Sequence, residues 1–180
     1  MRAPLTPALR LALLVTPLAA SMASAQQPVD VACASGVLFV LDASPPRIWR
    51  VDGAAMPPVE LRHGEESPDL GHPTRMLAVG DQLLLADPHA DHVLAVDIGT
   101  GAVRPIDAAP VERLRQPSGL ALHPDGRVVV ADTGNHRLLT LARADDGDGS
   151  APWRFADAPL FTERWPFDVA CGADGAVYAI

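Results

Sequence analysis

Val128-Val129-Val130-Ala131-Asp132-Thr133-Gly134-Asn135-His136-Arg137-Leu138-Leu139 is the stretch from which the rest of the chain can be read. Three β-branched residues run into an aspartate, a short polar turn carries Gly and Asn, and a basic pair leads a second apolar run. This is the pattern of a β-hairpin. It recurs. Asp42 follows Leu38-Phe39-Val40-Leu41 and Asp87 follows Leu83-Leu84-Leu85-Ala86, so Asp42, Asp87 and Asp132 lie 45 positions apart, twice over. Five residues after each stands Arg47, His92 or Arg137. A fixed period between about 20 and 50 residues marks a repeat architecture.

Working outward from the hairpin, each repeat follows one plan. A proline opens it (Pro28, Pro73, Pro117, Pro166), at intervals of 45, 44 and 49 residues. A short apolar strand follows, such as Val29–Cys33 or Ser118–Leu122, and then a tight turn, of which Pro124-Asp125-Gly126 and Ala173-Asp174-Gly175 are the clearest. Asp-Gly between apolar runs is a strong hairpin signal. The second strand ends at the repeated Asp, and the third runs Arg47–Asp52, His92–Asp97 or Arg137–Ala142. A weaker fourth, such as Val103–Asp107 or Trp153–Asp157, completes the set. Four short antiparallel strands per repeat of this length predict an all-β propeller of four-stranded blades. The repeats span about 28–72, 73–116 and 117–165, with 166–180 incomplete. The longer third interval comes from Arg143–Ser150, whose Asp146 and Asp148 spacing faintly resembles a calcium loop but reads better as a solvated hairpin tip.

Composition restricts the function classes. The 180-residue chain carries 22 acidic against 14 basic residues, a formal charge of −8, and no basic stripe suited to a phosphate backbone. No nucleic-acid partner is expected. Residues 1–25 read as a secretory signal peptide: Arg2 and Arg10 flank a positive region, Leu11–Ala20 is apolar, and Ala23-Ser24-Ala25 supplies the small residues of a cleavage site. The apolar run is too short, and too interrupted by Pro17, for a membrane span. The expectation is a secreted or periplasmic protein with no membrane span after cleavage.

An exported chain with two cysteines invites a disulfide. Cys33 and Cys171 hold the same position of repeats one and four, in Asp-Val-Ala-Cys, and therefore point into different sectors of a ring. Since a disulfide needs Cα atoms within about 7 Å, both are expected to be small buried thiols. The last residues, Ala176–Ile180, are apolar and stop one residue before the next Asp is due. An open apolar edge of this kind is one that natural proteins avoid. About three and a half blades of a longer ring are therefore expected in this chain, as its N-terminal piece, the alternative being a half-ring completed by a second copy.

Pro117–Gly126 followed by Val130–Leu138 resembles an NHL repeat, nearly complete in this one repeat. Repeats one and two keep the spacing and the Asp, but Ser44-Pro45-Pro46-Arg47 and His89-Ala90-Asp91-His92 stand where Gly-Asn-His-Arg would. The resemblance implies a six-bladed propeller, in a wider group that includes sugar-lactone hydrolases and amidating or antibiotic-cleaving lyases. Fold kinship of that sort assigns no function. A residue present once per blade reads as scaffold. Asp42, Asp87 and Asp132 are thus expected to accept turn amides or to face Arg47, His92 and Arg137 across the hairpin mouth.

Candidate functional residues lie where the repeats differ. Two residues after each opening proline come Asp30, Arg75, Gly119 and Asp168, at the start of the strand lining the axis. Buried charge needs a partner or a ligand. Asp30, Arg75 and Asp168 either form a polar pocket, with Arg75 gripping an anionic or carbonyl group, or a structural network closing the channel. Five of the six histidines (His63, His72, His89, His92, His136) fall on the loop face, and His123 on the other. His72, His89 and Glu65 could hold a divalent cation, the one cofactor considered; the alternative is an acidic solvated loop. Two functions follow: a binding or sensor module for a protein or small-molecule ligand, or a divalent-metal-dependent hydrolase or lyase, lactonase-like, at the channel mouth.

Overall fold

A computed structural model of the chain describes residues 27–52, 59–61, 69–106, 113–143, 152–156 and 158–180. The signal-peptide stretch and the Arg143–Ser150 insertion beyond Arg143 lie outside them. Among the described residues the strands form four antiparallel sheets. Blade 1 is β1 (Pro28–Ala34), β2 (Val37–Ala43), β3 (Pro46–Val51) and β4 (Val59–Glu60); blade 2 is β5 (Arg75–Val79), β6 (Gln82–Asp87), β7 (His92–Asp97) and β8 (Val103–Pro105). Blade 3 holds β9 (Pro117–Leu122), β10 (Val128–Asp132), β11 (Arg137–Arg143), β12 (Trp153–Phe155) and β13 (Leu160–Phe161). A two-stranded pair, β14 (Val169–Cys171) and β15 (Val177–Ala179), begins the next unit. Within each blade the first four strands pair in chain order, and the first strands of successive blades lie side by side.

The second strands show why the apolar runs are continuous instead of alternating. A central blade strand is covered on both faces, so both sets of side chains are buried. Leu83 and Leu85 enter the core shared with blade 1, beside Phe39 and Leu41. Leu84, between them, enters the core shared with blade 3, beside Val128 and Val130. Val129 and Ala131 then turn to a third core with Val169 of β14. Each fully buried Leu or Val of these layers contributes about 1.5–3 kcal/mol relative to exposure. Polar ties add to the blade 2–blade 3 contact: Trp153 Nε1 donates to Gln82 Oε1 (2.8 Å), and Arg143 Nη1 lies 3.2 Å from Asp81 Oδ1.

The repeated aspartates are scaffold, with a job the hairpin pattern alone did not show. Asp42, Asp87 and Asp132 are all buried. Each accepts a backbone N–H from the segment leading into its own blade: Gln27 to Asp42 Oδ1 (2.6 Å), His72 to Asp87 Oδ2 (2.8 Å), Arg115 to Asp132 Oδ1 (2.7 Å). Among the described residues, Asp87 also takes backbone amides of its turn, those of His89 and Ala90. Thus each carboxylate fastens the opening strand of its blade to the mouth of the following hairpin.

Three expectations are corrected. Arg47 pairs opposite Asp42 in register, but its guanidinium turns to Glu60 at 3.6 Å, because β4 brings a half-buried carboxylate to the same edge. Cys33 is exposed instead of buried, while Cys171 is half-buried, packed on the Ala121–Val129 core; both are free thiols. The same position differs because blade 3 covers the β14 side, whereas no described blade packs on that side of β1. Burial, and secondarily the charge of Asp125, pushes the Cys171 thiol up. Lastly, β13 was not anticipated: it pairs with the start of β11, where β12 pairs with its end, so blade 3 has a split outer strand.

Candidate functional site

The expected mouth residues sit at equivalent positions of the inner strands, and two of the three meet. Arg75 Nη2 of β5 forms an ion pair with Asp168 Oδ2, just before β14. The pair reaches from blade 2 to the unit after blade 3, passing the place where blade 3 carries Gly119. A Cβ at Gly119 would stand 2.8 Å from Asp168 Cα and 2.9 Å from Val169 N, so only glycine lets β9 and β14 approach this closely. Asp30 does not join the pair. Its Oδ2 accepts the Met76 amide of the neighbouring inner strand (2.8 Å), and its Oδ1 accepts its own neighbour's amide, Val31 (2.9 Å). Arg75 and Asp168 remain 42% and 34% exposed, a pair of the solvent-facing kind that contributes only ~0.2–1 kcal/mol.

The segment leading into Asp168 carries a set of rings that the charge-based reading missed. Three of the chain's eight aromatic residues (four Phe, three Trp, one Tyr) fall between positions 161 and 167. Phe161, Trp165 and Phe167 are 70%, 55% and 61% exposed. The Trp165 ring meets His136 edge-on at 5.5 Å between centroids and lies 6.4 Å from Phe167. The backbone beneath them is well anchored. Ser118 Oγ donates to the Phe167 carbonyl (2.7 Å), Thr133 Oγ1 to the Pro166 carbonyl (2.7 Å), and Thr162 N–H to the His136 carbonyl (2.8 Å). The rings are therefore presented to solvent by a fixed segment. Their clustering in a chain with 4% aromatics was the available signal.

The five described histidines lie at two ends of the blades, with His63 outside the described residues. His72 and His89 come together on the loop side of blade 2, ring centroids 5.5 Å apart. His92 Nε2 lies 3.6 Å from Asp87 Oδ2. Glu65 and His63 lie outside the described residues. Among the described residues no three metal-ligating side chains gather. His123 sits at the opposite end, with Nδ1 2.7 Å from Asp125 Oδ1 and Nε2 3.2 Å from the Gly175 carbonyl. Arg127, hydrogen-bonded to Asp125 through side chain and backbone, holds that carboxyl well below the usual carboxylate range.

The NHL repeat model matches residues 114–140, the lead-in and central hairpin of blade 3. Blade 3 is an NHL repeat, and the chain folds as a β-propeller. Solved structures share the fold at low identity. The chain is similar to hydrazine synthase from Kuenenia stuttgartiensis, at 21% identity and TM-score 0.64, over 85% of this chain and 41% of that one. It is similar to a catalytically inactive virginiamycin B lyase from Staphylococcus aureus solved with quinupristin, at 15% and 0.61, over 88% and 50%. It is also similar to YCF48 bound to D1 peptide, at 14% and 0.53, over 86% and 46%. The propeller segment spans about half the length of the solved chains it matches, from 41% to 53%. No curated protein sequence matches it. Among its described residues no helix is long and apolar enough to cross a membrane.

Proposed function

We propose that the protein is an exported, secreted or periplasmic, NHL-repeat β-propeller with a six-bladed ring, and that it binds a protein or small-molecule ligand at the loop face of its channel. The observation that carries this reading is the anchored segment that exposes Trp165 and Phe167 and runs straight into Asp168, the partner of Arg75. Aromatic rings supply large contact area with little entropy to lose, and arginine beside them is the composition of an interface hot spot. The weakness of a half-exposed ion pair matters here. Arg75 exchanges Asp168 for a ligand's carboxylate or carbonyl at a cost of about 1 kcal/mol or less. Propellers of this fold support both ligand classes, since YCF48 was solved with a peptide and virginiamycin B lyase with quinupristin.

The reading is tested by selecting binders from a displayed peptide library on the exported protein, then measuring them against Arg75→Ala and a Trp165→Ala–Phe167→Ala double variant. Each variant is expected to weaken the selected peptides at least tenfold. Binders whose affinity none of these changes would sink the proposal. A second reading, a divalent-metal-dependent hydrolase or lyase of the channel mouth, takes its support from lyase and gluconolactonase structures of the same fold. Against it stand the engagements of the two mouth carboxylates: Asp168 with Arg75, and Asp30 with two backbone amides. Cation-dependent turnover of lactones or esters, lost in Asp30→Asn and Asp168→Asn, is the result that would favour it.

A further inference from the structure

Apart from the mouth, one pair of side chains is arranged for chemistry that the binding reading does not use. His72 precedes Pro73 on the way into blade 2, and His89 lies in the loop joining β6 and β7. One buried carboxylate fixes both. Asp87 Oδ2 accepts the His72 amide (2.8 Å) while Asp87 Oδ1 accepts the His89 amide (2.9 Å). Gly71, at φ +69°, lets the lead-in chain pass against that carboxylate, where a Cβ would stand 2.1 Å from Asp87 Oδ2. The two backbones are thus held on one rigid acceptor, and their side chains emerge together, exposed, with ring centroids 5.5 Å apart and planes at 66°. Neither imidazole has a hydrogen bond or ion pair to a described residue; their only described contact is with each other.

We propose that His72 and His89 form a two-imidazole site for a divalent transition-metal ion, with water completing the coordination. Neutral imidazole suits zinc, copper and nickel, and does not suit calcium or magnesium. The separation also fits. A metal–nitrogen bond of about 2.0–2.1 Å plus about 1.1 Å from nitrogen to ring centre places the ion roughly 3.2 Å from each centroid. Centroids 5.5 Å apart then subtend about 120° at the ion, near the tetrahedral value that zinc adopts. Asp87 is not a ligand, because its oxygens already serve three backbone amides and approach His92. It is a positioning group, holding the two imidazoles in place before the ion arrives. The site joins the lead-in of blade 2 to its central loop, so an ion there ties together the two segments that face the ligand side.

Copper(II) is the probe, titrated calorimetrically into the full chain in a non-coordinating buffer. The expected result is one tight equivalent, weakened at least tenfold by His72→Gln and equally by His89→Gln, with the double variant no weaker than either single. Loss of either imidazole destroys a chelate. His136→Gln, in the hairpin loop of the next blade, should leave the affinity unchanged. Electron paramagnetic resonance of the bound copper should show coupling to two imidazole nitrogens. Binding that His72→Gln and His89→Gln leave intact, that His136→Gln weakens as much, or that shows a single nitrogen, overturns the site. Both histidines are exposed and all variants keep Asp87, so a fold change, checked by circular dichroism, is not expected. The outcome is independent of the peptide experiment, which reads Arg75, Trp165 and Phe167.

Discussion

The hairpins of blade 3 and blade 1 share a register and are held in different ways. In blade 3, Asp132 Oδ2 accepts Arg137 Nε (2.6 Å) and Asn135 Nδ2 (2.9 Å), and Arg137 is 3% exposed. In blade 1, Arg47 stands in the matching position, yet its side chain is 44% exposed and turned to Glu60. What the two hairpins have in common is the buried aspartate and its lead-in amide, from Arg115 in one and Gln27 in the other. The difference separates two jobs that the repeat pattern had merged. Fastening the lead-in is common to every blade, whereas neutralising the aspartate with a buried guanidinium is particular to the NHL-matching one. Blade 2 falls between them, with His92 3.6 Å from Asp87 and three amides on the carboxylate.

Mutations can break this comparison, and the largest effect should come from blade 3. Asp132→Ala removes the buried carboxylate shared by the Arg137 guanidinium, the Asn135 side-chain amide and the Arg115 N–H, an expected loss of about 3–5 kcal/mol in urea unfolding. Asp42→Ala leaves one lead-in amide unsatisfied and no buried cation, so about 1–2 kcal/mol is expected. Equal losses would mean that the lead-in amide carries the whole role in both blades. Of comparable size is Gly119→Ala, at the inner-strand position that carries charge in the other repeats. Its methyl group would meet backbone atoms of Asp168 and Val169 inside 3.0 Å, and overpacking of this kind costs about 1–3 kcal/mol. An unchanged midpoint would show that β9 and β14 leave room for a Cβ between them. Arg47→Ala should cost less than about 1 kcal/mol, as expected of an exposed pair; a loss near that of Asp132→Ala would put Arg47 back on Asp42.

Much of the fold was legible before any coordinates. The 45-residue register of Asp42, Asp87 and Asp132, and the apolar runs before them, specified blades because a strand covered on both faces must be apolar on both. The mouth was legible in part. Asp30, Arg75 and Asp168 stood out by departing from the register, but nothing in their spacing showed that Asp30 would serve an amide while Arg75 crossed Gly119 to Asp168. The aromatic segment was overlooked because Leu160–Phe167 belongs to no repeated position, so the ruler that located everything else passed over it.

The linear sequence by itself determined the strand order, the turns and the scaffold role of the repeated aspartates. These follow from local propensity and a period, both of which are written along the chain. Tertiary structure alone decided which carboxylate meets which cation, why Cys33 is exposed while its counterpart Cys171 is packed, and that Asp87 sets His72 beside His89. Those outcomes depend on what the neighbouring blade places within about 4 Å, a distance over which side-chain contacts act and which the chain order does not encode.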